Sequence, residues 1–140
     1  MKKTILTLLV SLFFAVGAAA QETSTSETGK IYFLRSTGFQ GSAVAFKTFI
    51  DGEFVCKLNN KKYSIHEVPV GKHECSVQFG GKVSKEKAEK FVIDVQPGKT
   101  VYVQIVFESG ILINNVYCEE VTENTATSKM QNMKEDTECK

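Results

Sequence analysis

Hydrophobic and polar residues alternate through the middle of the chain in segments of strand length. The alternation is clearest at Phe91, Ile93 and Val95 and again from Val101 to Phe107, where every second side chain is apolar and falls on one face of an extended strand. Turn residues separate such segments roughly every 8 to 12 residues, a spacing typical of an all-β sandwich. The pattern predicts strands at 30–35, 42–50, 53–58, 62–68, 72–79, 90–96, 100–107 and 112–121.

Asp51-Gly52 stands between two apolar runs and predicts a two-residue hairpin, because Asp-Gly readily adopts the positive φ angles that such a turn requires. Ile50 then faces Glu53, and Cys56 points away from the side that Ile50 and Val55 share unless a bulge intervenes. We expect an all-β fold, a single antiparallel β-sandwich of about seven to eight strands, Ig-like or prealbumin-like.

The first 20 residues have the pattern of a secretory signal peptide: two lysines, an apolar run and small residues up to Ala20. The apolar run is shorter than the roughly 20 residues that cross a bilayer. Gln21 occupies the position where a bacterial lipoprotein carries Cys. We therefore expect cleavage between Ala20 and Gln21, a periplasmic or secreted location, no lipid anchor and no membrane insertion.

Composition divides the remainder into three parts. Residues 21–29 and 122–140 are polar and are predicted to be a flexible linker and a disordered tail, while 30–121 form the β-sandwich domain. Segment 83–91 has helix-favouring composition and is expected to be a solvated loop or one helical turn. The signal carries two of the 17 Lys and Arg residues, so the rest is close to neutral against 16 Asp and Glu. A near-neutral chain does not attract phosphates, and we expect no nucleic-acid partner.

The four cysteines all follow the signal peptide, and an even number in an exported chain indicates disulfides. Four cysteines allow three pairings, and the sequence leaves all three open. The candidate disulfide cysteines are Cys56, Cys75, Cys118 and Cys139.

The stretch "EVPVGKHECSV" places His, Glu and Cys together, as a metal site or a thiol enzyme would. On a strand, His73 and Cys75 share a face that continues through Val77 and Phe79, so we interpret this face as core. His73 then bonds a turn carbonyl, and His66 lies on the opposite, solvent-facing side. The chain contains neither a Cys-x-x-Cys pair nor a Gly-x-Ser-x-Gly elbow. We predict no catalytic residue, no metal ligand and no cofactor.

Phe39 lies between Gly38 and Gly41 in the loop "STGFQGSAV". A large apolar group in such a loop is exposed unless it folds back, and exposed loop aromatics are favoured at interfaces. Phe39 is therefore our candidate partner-facing residue.

The segments "GSAVAFKTFIDGEFVCKL", "EVPVGKHECSV" and "VQPGKTVYVQIVFESGIL" resemble, in order and spacing, the bacterial family called domain of unknown function 2846. The resemblance covers about residues 30–121 and rests on turn and core residues. It implies a sandwich like the PEGA-type and prealbumin-like modules of bacterial surface proteins. The family implies an envelope setting and assigns no activity or catalytic residue.

These observations predict an exported, non-enzymatic β-sandwich module that binds a protein or other component of the cell envelope. One alternative is a small hydrolase that uses His73, Cys75 and a carboxylate. Another is an envelope carbohydrate-binding module, which the absence of Trp disfavours.

Overall fold

The computed structural model describes residues 27–39, 41–79, 82–83, 91–112 and 114–139. Within these ranges the chain forms ten strands and one helix: β1 (Thr28–Arg35), β2 (Phe46–Ile50), β3 (Glu53–Leu58), β4 (Lys62–Pro69), β5 (Gly71–Phe79), β6 (Lys82–Val83), β7 (Phe91–Val95), β8 (Thr100–Ser109), β9 (Asn114–Val121), α1 (Glu123–Met130) and β10 (Lys134–Glu135). The predicted signal peptide, most of the predicted linker and most of segment 83–91 lie outside the described residues.

The strands form two stacked sheets, which confirms the predicted all-β sandwich. The first sheet has the order β10-β4-β1-β8-β9, and the second has β3-β2-β5, with β6 and β7 each pairing with β5. Most pairs are antiparallel, as expected. Two are parallel: β1 with β8, in a register from Lys30↔Thr100 to Arg35↔Ile105, and β10 with β4.

The alternating apolar faces form the core between the sheets, as predicted. Ile93 and Val95 of β7 and Val103 and Ile105 of β8 are each at most 3% exposed. Phe91 and Phe107 pack against this cluster from its margin. Each fully buried side chain of this size contributes about 1.5–3 kcal/mol relative to its exposed state. The core between the two sheets is therefore the main stabilising element.

A bulge in the β2–β3 hairpin decides which way Cys56 points. The turn has the expected left-handed backbone, with φ of 52° at Asp51 and 80° at Gly52, and Ile50 pairs with Glu53 as predicted. The register then shifts, so that Thr48 pairs with Cys56 rather than with the preceding residue. Cys56 therefore faces the core, where it is 1% exposed.

The first strand begins two residues earlier than the predicted linker allows. Thr28 pairs with Pro69, and its carbonyl accepts a 2.9 Å hydrogen bond from the Gly98 amide. A Cβ at Gly29 would lie 2.8 Å from the Lys99 carbonyl oxygen, so the close approach of the β7–β8 turn requires glycine here. These contacts are long-range, and local composition does not reveal them.

The prediction of a disordered tail over 122–140 is wrong for its described residues. Thr122 caps helix α1, whose Ala126 is fully buried, and β10 pairs with β4. Asp136 is only 6% exposed and forms a 3.0 Å ion pair with Lys62. A polar segment is ordered here because distant strands supply its partners.

The cysteines divide into one bonded pair and two thiols. Cys56 and Cys139 form a disulfide across 83 residues of sequence, which confirms the expectation of a disulfide and attaches the tail to β3. Cys75 and Cys118, the other two candidates, are free and buried. Each instead fills a core position as a small apolar side chain.

We predict that protein unfolded without reductant takes up two alkyl groups, on Cys75 and Cys118, and four after reduction. Native protein takes up none during brief labelling, because both free thiols are buried. Intact-mass spectrometry after iodoacetamide treatment counts the adducts. Four adducts without reductant would contradict the Cys56–Cys139 bond, and none would indicate a second bond.

Candidate functional site

The loop between β1 and β2, residues 36–45, is held by its own backbone and by one neighbouring turn. The Thr37 amide donates to Asn60 Oδ1 at 2.9 Å, and Asn60 Nδ2 donates to the Gly38 carbonyl at 3.0 Å. Ser42 Oγ donates to the Phe39 carbonyl at 2.7 Å. Residues 42–44, predicted to begin a strand, instead form a turn with Gly41, and these contacts give the described part of the loop a defined conformation.

Arg35 anchors this loop from inside the sandwich. Its side chain is fully buried, yet its guanidinium donates to the carbonyls of Leu58 and Gly41, the latter at 2.7 Å. The guanidinium carbon lies 3.6 Å from the centre of the Phe46 ring, a cation–π contact. Burial lowers the pKa of Arg35 to about 10, so the group remains charged at neutral pH. No carboxylate among the described residues pairs with it.

Three large apolar side chains project from this end of the molecule. Phe39 is 94% exposed, Ile111 103% and Leu112 94%. Because β1 and β8 are parallel, their carboxyl ends lie at the same end of the sheet. The loop after Arg35 and the turn after β8 therefore lie at that end. A Cβ at Gly41 would lie 3.4 Å from the Phe107 ring of β8, so the two segments adjoin. We call residues 36–39, 41–45 and 110–112 together the loop end.

A concave surface lies on the opposite part of the sandwich from the loop end, between the β2–β3 hairpin and the edge of β4. It has a volume of about 340 Å³, and we call it the edge groove. Its apolar lining is Ile50, Val55, Ile65, Val68 and Pro69, and its polar lining is Asp51, Glu53, His66, Glu67 and His73.

His73 joins three chain segments at the end of this groove. Its Nδ1 lies 2.6 Å from Asp51 Oδ2, and its Nε2 lies 2.8 Å from the Pro69 carbonyl oxygen. Both partners can accept hydrogen bonds, so both ring nitrogens are placed to donate, an arrangement that favours the protonated imidazole. The contact with the Pro69 carbonyl agrees with the role predicted for His73.

Electrostatics favour this charged pair. Burial alone would lower the pKa of His73, but the hydrogen bonds to Asp51 and Pro69 and the attraction of the carboxylate outweigh it and raise that pKa. Burial alone would raise the pKa of Asp51, but hydrogen bonds from the Glu74 amide and from His73 outweigh it and lower that pKa. Imidazolium and carboxylate therefore stabilise each other.

The prediction that His66 faces solvent is wrong. It is 5% exposed, its Nε2 lies 2.9 Å from Ser64 Oγ, and its ring meets the edge of Phe33. Ile31 and Phe33 of β1 pair with His66 and Ser64, and their apolar side chains fix which face of β4 turns inward. As a result both histidines line the edge groove.

Cys75 does not reach that groove as a reactive group. It is fully buried, as predicted, and burial, reinforced by the charges of Asp51 and Glu74, raises the pKa of its thiol to about 12. Burial also raises the pKa of the Cys118 thiol, with a further contribution from Cys75. In the described ranges, no group of three or more His, Cys, Asp or Glu residues could hold a metal ion.

Sequence reasoning did not find Arg35, the exposed Ile111 and Leu112 or the edge groove. Ile111-Leu112 follows the Ser-Gly of the predicted β8–β9 connection, a signal that could have marked them as loop residues. A buried arginine without a carboxylate leaves no such mark. Of the helices in the described ranges, none has the length and apolar character to span a membrane.

We predict that Arg35→Met lowers the free energy of unfolding by about 2–4 kcal/mol, because it leaves the buried carbonyls of Leu58 and Gly41 without a donor. Urea denaturation followed by circular dichroism measures the change. Arg35→Lys keeps the charge but not the planar fork of donors, so an intermediate loss is expected. A loss below 1 kcal/mol for Arg35→Met would contradict the anchoring role.

We predict that His73→Gln lowers the free energy of unfolding by about 1 kcal/mol at pH 5.5, since it removes a partly exposed charged pair. The raised pKa of His73 stabilises the fold below its ordinary value of 6.5, and this stabilisation is lost as pH rises through the folded-state pKa. The lowered pKa of Asp51 stabilises the fold above its ordinary value of 3.8, and this is lost as pH falls through the folded-state pKa.

The difference between wild type and His73→Gln is thus largest between pH 3.8 and 6.5. Urea titrations at half-unit pH steps measure it, and Asp51→Asn serves as the control because it breaks the same pair. A difference that stays constant from pH 4 to 9 would contradict the charged pair.

The sequence was also compared with known proteins. The family described as "Protein of unknown function (DUF2846)" matches residues 25–118. No curated protein matches the chain. The match includes β1 to β8 and most of β9, with both sides of the loop end and the edge groove, and stops before α1, β10 and Cys139. Because the match covers more than half of the chain and agrees with the resemblance seen in its turn and core residues, the chain belongs to the DUF2846 family.

Proposed function

We propose that this protein is an exported, non-enzymatic binding module that contacts a protein of the cell envelope through its loop end. The observation that carries the proposal is a contrast within one loop. The backbone around Phe39 is fixed by hydrogen bonds, while its ring is 94% exposed. Fixing the backbone beneath an exposed apolar side chain buries no apolar area in the free protein, but it lowers the entropy lost on binding.

The neighbours of Phe39 favour an apolar protein surface as the partner. Ile111 and Leu112 extend the exposed apolar area at the same end. Two polar side chains beside Phe39 already bond within this end of the molecule: Asn60 of the β3–β4 turn to Thr37 and Gly38, and Ser42 to the Phe39 carbonyl. A carbohydrate site needs polar groups directed at sugar hydroxyls, so this arrangement disfavours the carbohydrate-binding alternative.

The hydrolase alternative has little support from the chemistry of its candidate residues. Cys75 is fully buried with a pKa raised to about 12, so its thiol supplies no thiolate near neutral pH. Both ring nitrogens of His73 are engaged, one by the Asp51 carboxylate and the other by the Pro69 carbonyl, so neither is placed to take a proton from a substrate.

Export is supported by two features. The first 20 residues have the pattern of a signal peptide. The Cys56–Cys139 disulfide fits an oxidising compartment, because disulfides persist outside the cytoplasm and are rare within it. These two features support a periplasmic or secreted location, in which the protein would encounter a partner of the cell envelope.

We predict that replacing Phe39 with the photo-crosslinking residue p-benzoylphenylalanine yields a specific covalent adduct with one envelope protein upon irradiation of intact cells. The same replacement at Val92, a 57% exposed strand residue away from the loop end, is the matched control and should give no such adduct. Gel shift and mass spectrometry identify the partner.

Purified partner should then bind the Leu112→Ser variant at least tenfold more weakly than wild type, with the free energy of unfolding changed by less than about 0.5 kcal/mol. Isothermal titration calorimetry measures the affinity. Equal crosslinking from Phe39 and Val92, or an unchanged affinity of Leu112→Ser for the partner, would contradict the proposal that the partner binds the loop end.

A further inference from the structure

In the described structure, the outer edge of β4 is paired along only part of its length. On one side β4 pairs with β1 along its whole length, from Lys62 to Pro69. On the other side β10 pairs only with Lys62 and Tyr63. From Ser64 onward, no strand of the described chain pairs with β4 on that side.

The bonds of β10 show which backbone groups of β4 point outward. The Lys134 amide donates to the Lys61 carbonyl at 3.0 Å, and the Asp136 amide donates to the Tyr63 carbonyl at 2.8 Å. Backbone groups of alternate residues point the same way, so the N–H and C=O of Ile65 and Glu67 also face this edge. The available edge ends at Pro69, which has no N–H and whose carbonyl accepts from His73.

The edge groove lies directly beside these open backbone groups. Ile65 is half-buried on β4, and Val55 is half-buried on the facing strand β3. Ile50 and Val68, each 7% exposed, form the base. An extended segment added to β4 would turn every second side chain toward this lining, because side chains alternate along a strand.

The charge of the groove indicates what else such a segment carries. Its lining contains three carboxylates, and no Lys or Arg is among the described residues that form it. Asp51 is paired with His73, while Glu53 and Glu67 are exposed. Basic side chains on the added segment would meet these two carboxylates. A second copy of this chain paired through β4 would instead bring Glu53 and Glu67 against their counterparts, which like-charge repulsion disfavours.

We propose that an extended segment of a partner protein, with apolar side chains at alternate positions and Lys or Arg between them, adds as a strand to β4 at Ile65–Glu67. The protein's own β10 already uses the same mode on the first two residues of this edge. Main-chain hydrogen bonds supply affinity, and the groove selects side chains. This surface is separate from the loop end, so the proposal stands independently of the function proposed above.

The test is selection of a random 12-residue peptide library displayed on phage against the oxidised protein. We expect enriched peptides that alternate apolar residues with Lys or Arg. Hydrogen exchange of the complex should show the amides of Ile65 and Glu67 slowed at least tenfold. No enrichment over empty beads, or protection confined to other amides, would overturn the proposal.

Variants locate the contact. Glu53→Lys combined with Glu67→Lys should weaken the selected peptides at least tenfold, and Glu120→Lys, an exposed carboxylate on β9, should leave them unchanged. Ile65→Pro removes an outward N–H and should abolish binding; if it lowers the melting temperature sharply, the charge variants decide instead. Equal affinity of the selected peptides for the Glu53/Glu67 variant and for wild type would overturn the proposal. A wild-type dimer in sedimentation that Ile65→Pro abolishes would overturn it as well.

Discussion

The buried guanidinium of Arg35 is the interaction on which the loop end depends. A charge inside a protein costs several kcal/mol unless it is fully bonded, and here carbonyl oxygens and an aromatic ring meet that requirement. Because the donors of arginine lie in a rigid plane, Leu58 and Gly41 must keep their positions around it. The group thus joins β1 of one sheet to β2 and β3 of the other and fixes the loop that presents Phe39.

Similar ties join the two sheets along the β3–β4 side of the sandwich. His73 of one sheet bonds the Pro69 carbonyl of the other, and the Cys56–Cys139 disulfide fastens β3 to the segment that pairs with β4. No ladder of backbone hydrogen bonds connects β3 with β4 in the described structure. On this side of the sandwich, polar contacts and one disulfide therefore join the two sheets, because β3 and β4 do not pair through backbone hydrogen bonds in the described structure.

The same margin explains why the two proposed surfaces differ in kind. The loop end offers exposed side chains on a fixed backbone, a surface suited to an apolar patch on a partner. The edge groove lies beside backbone groups of β4 with which no described strand pairs, because β10 reaches only Lys62 and Tyr63, and its lining is partly apolar. Each surface results from the way the strands pair at that part of the sandwich, and each would bind a partner of different chemistry.

Much of the fold could be predicted from the sequence because it depends on local rules. Alternation placed Ile93, Val95, Val103 and Ile105 in the core, and the Asp51-Gly52 pair specified its hairpin. Candidate site residues were predicted less well. The exposure of Phe39 and the carbonyl contact of His73 were predicted because a loop between glycines and a strand start are local features, whereas His66 was placed on the wrong face because the inward face of β4 is set by pairing with β1.

The sequence by itself determined the strands, their turns and the apolar face of most of them, since strand period and turn chemistry act between near neighbours. Only the tertiary structure decided which cysteines bond, that the polar tail is ordered, that Arg35 is buried and that, among the described residues, β10 pairs with only the first two residues of β4. Each of these rests on contacts between residues far apart in the chain, such as the 83 residues that separate Cys56 from Cys139. Such contacts exist only after the sheets have paired and packed.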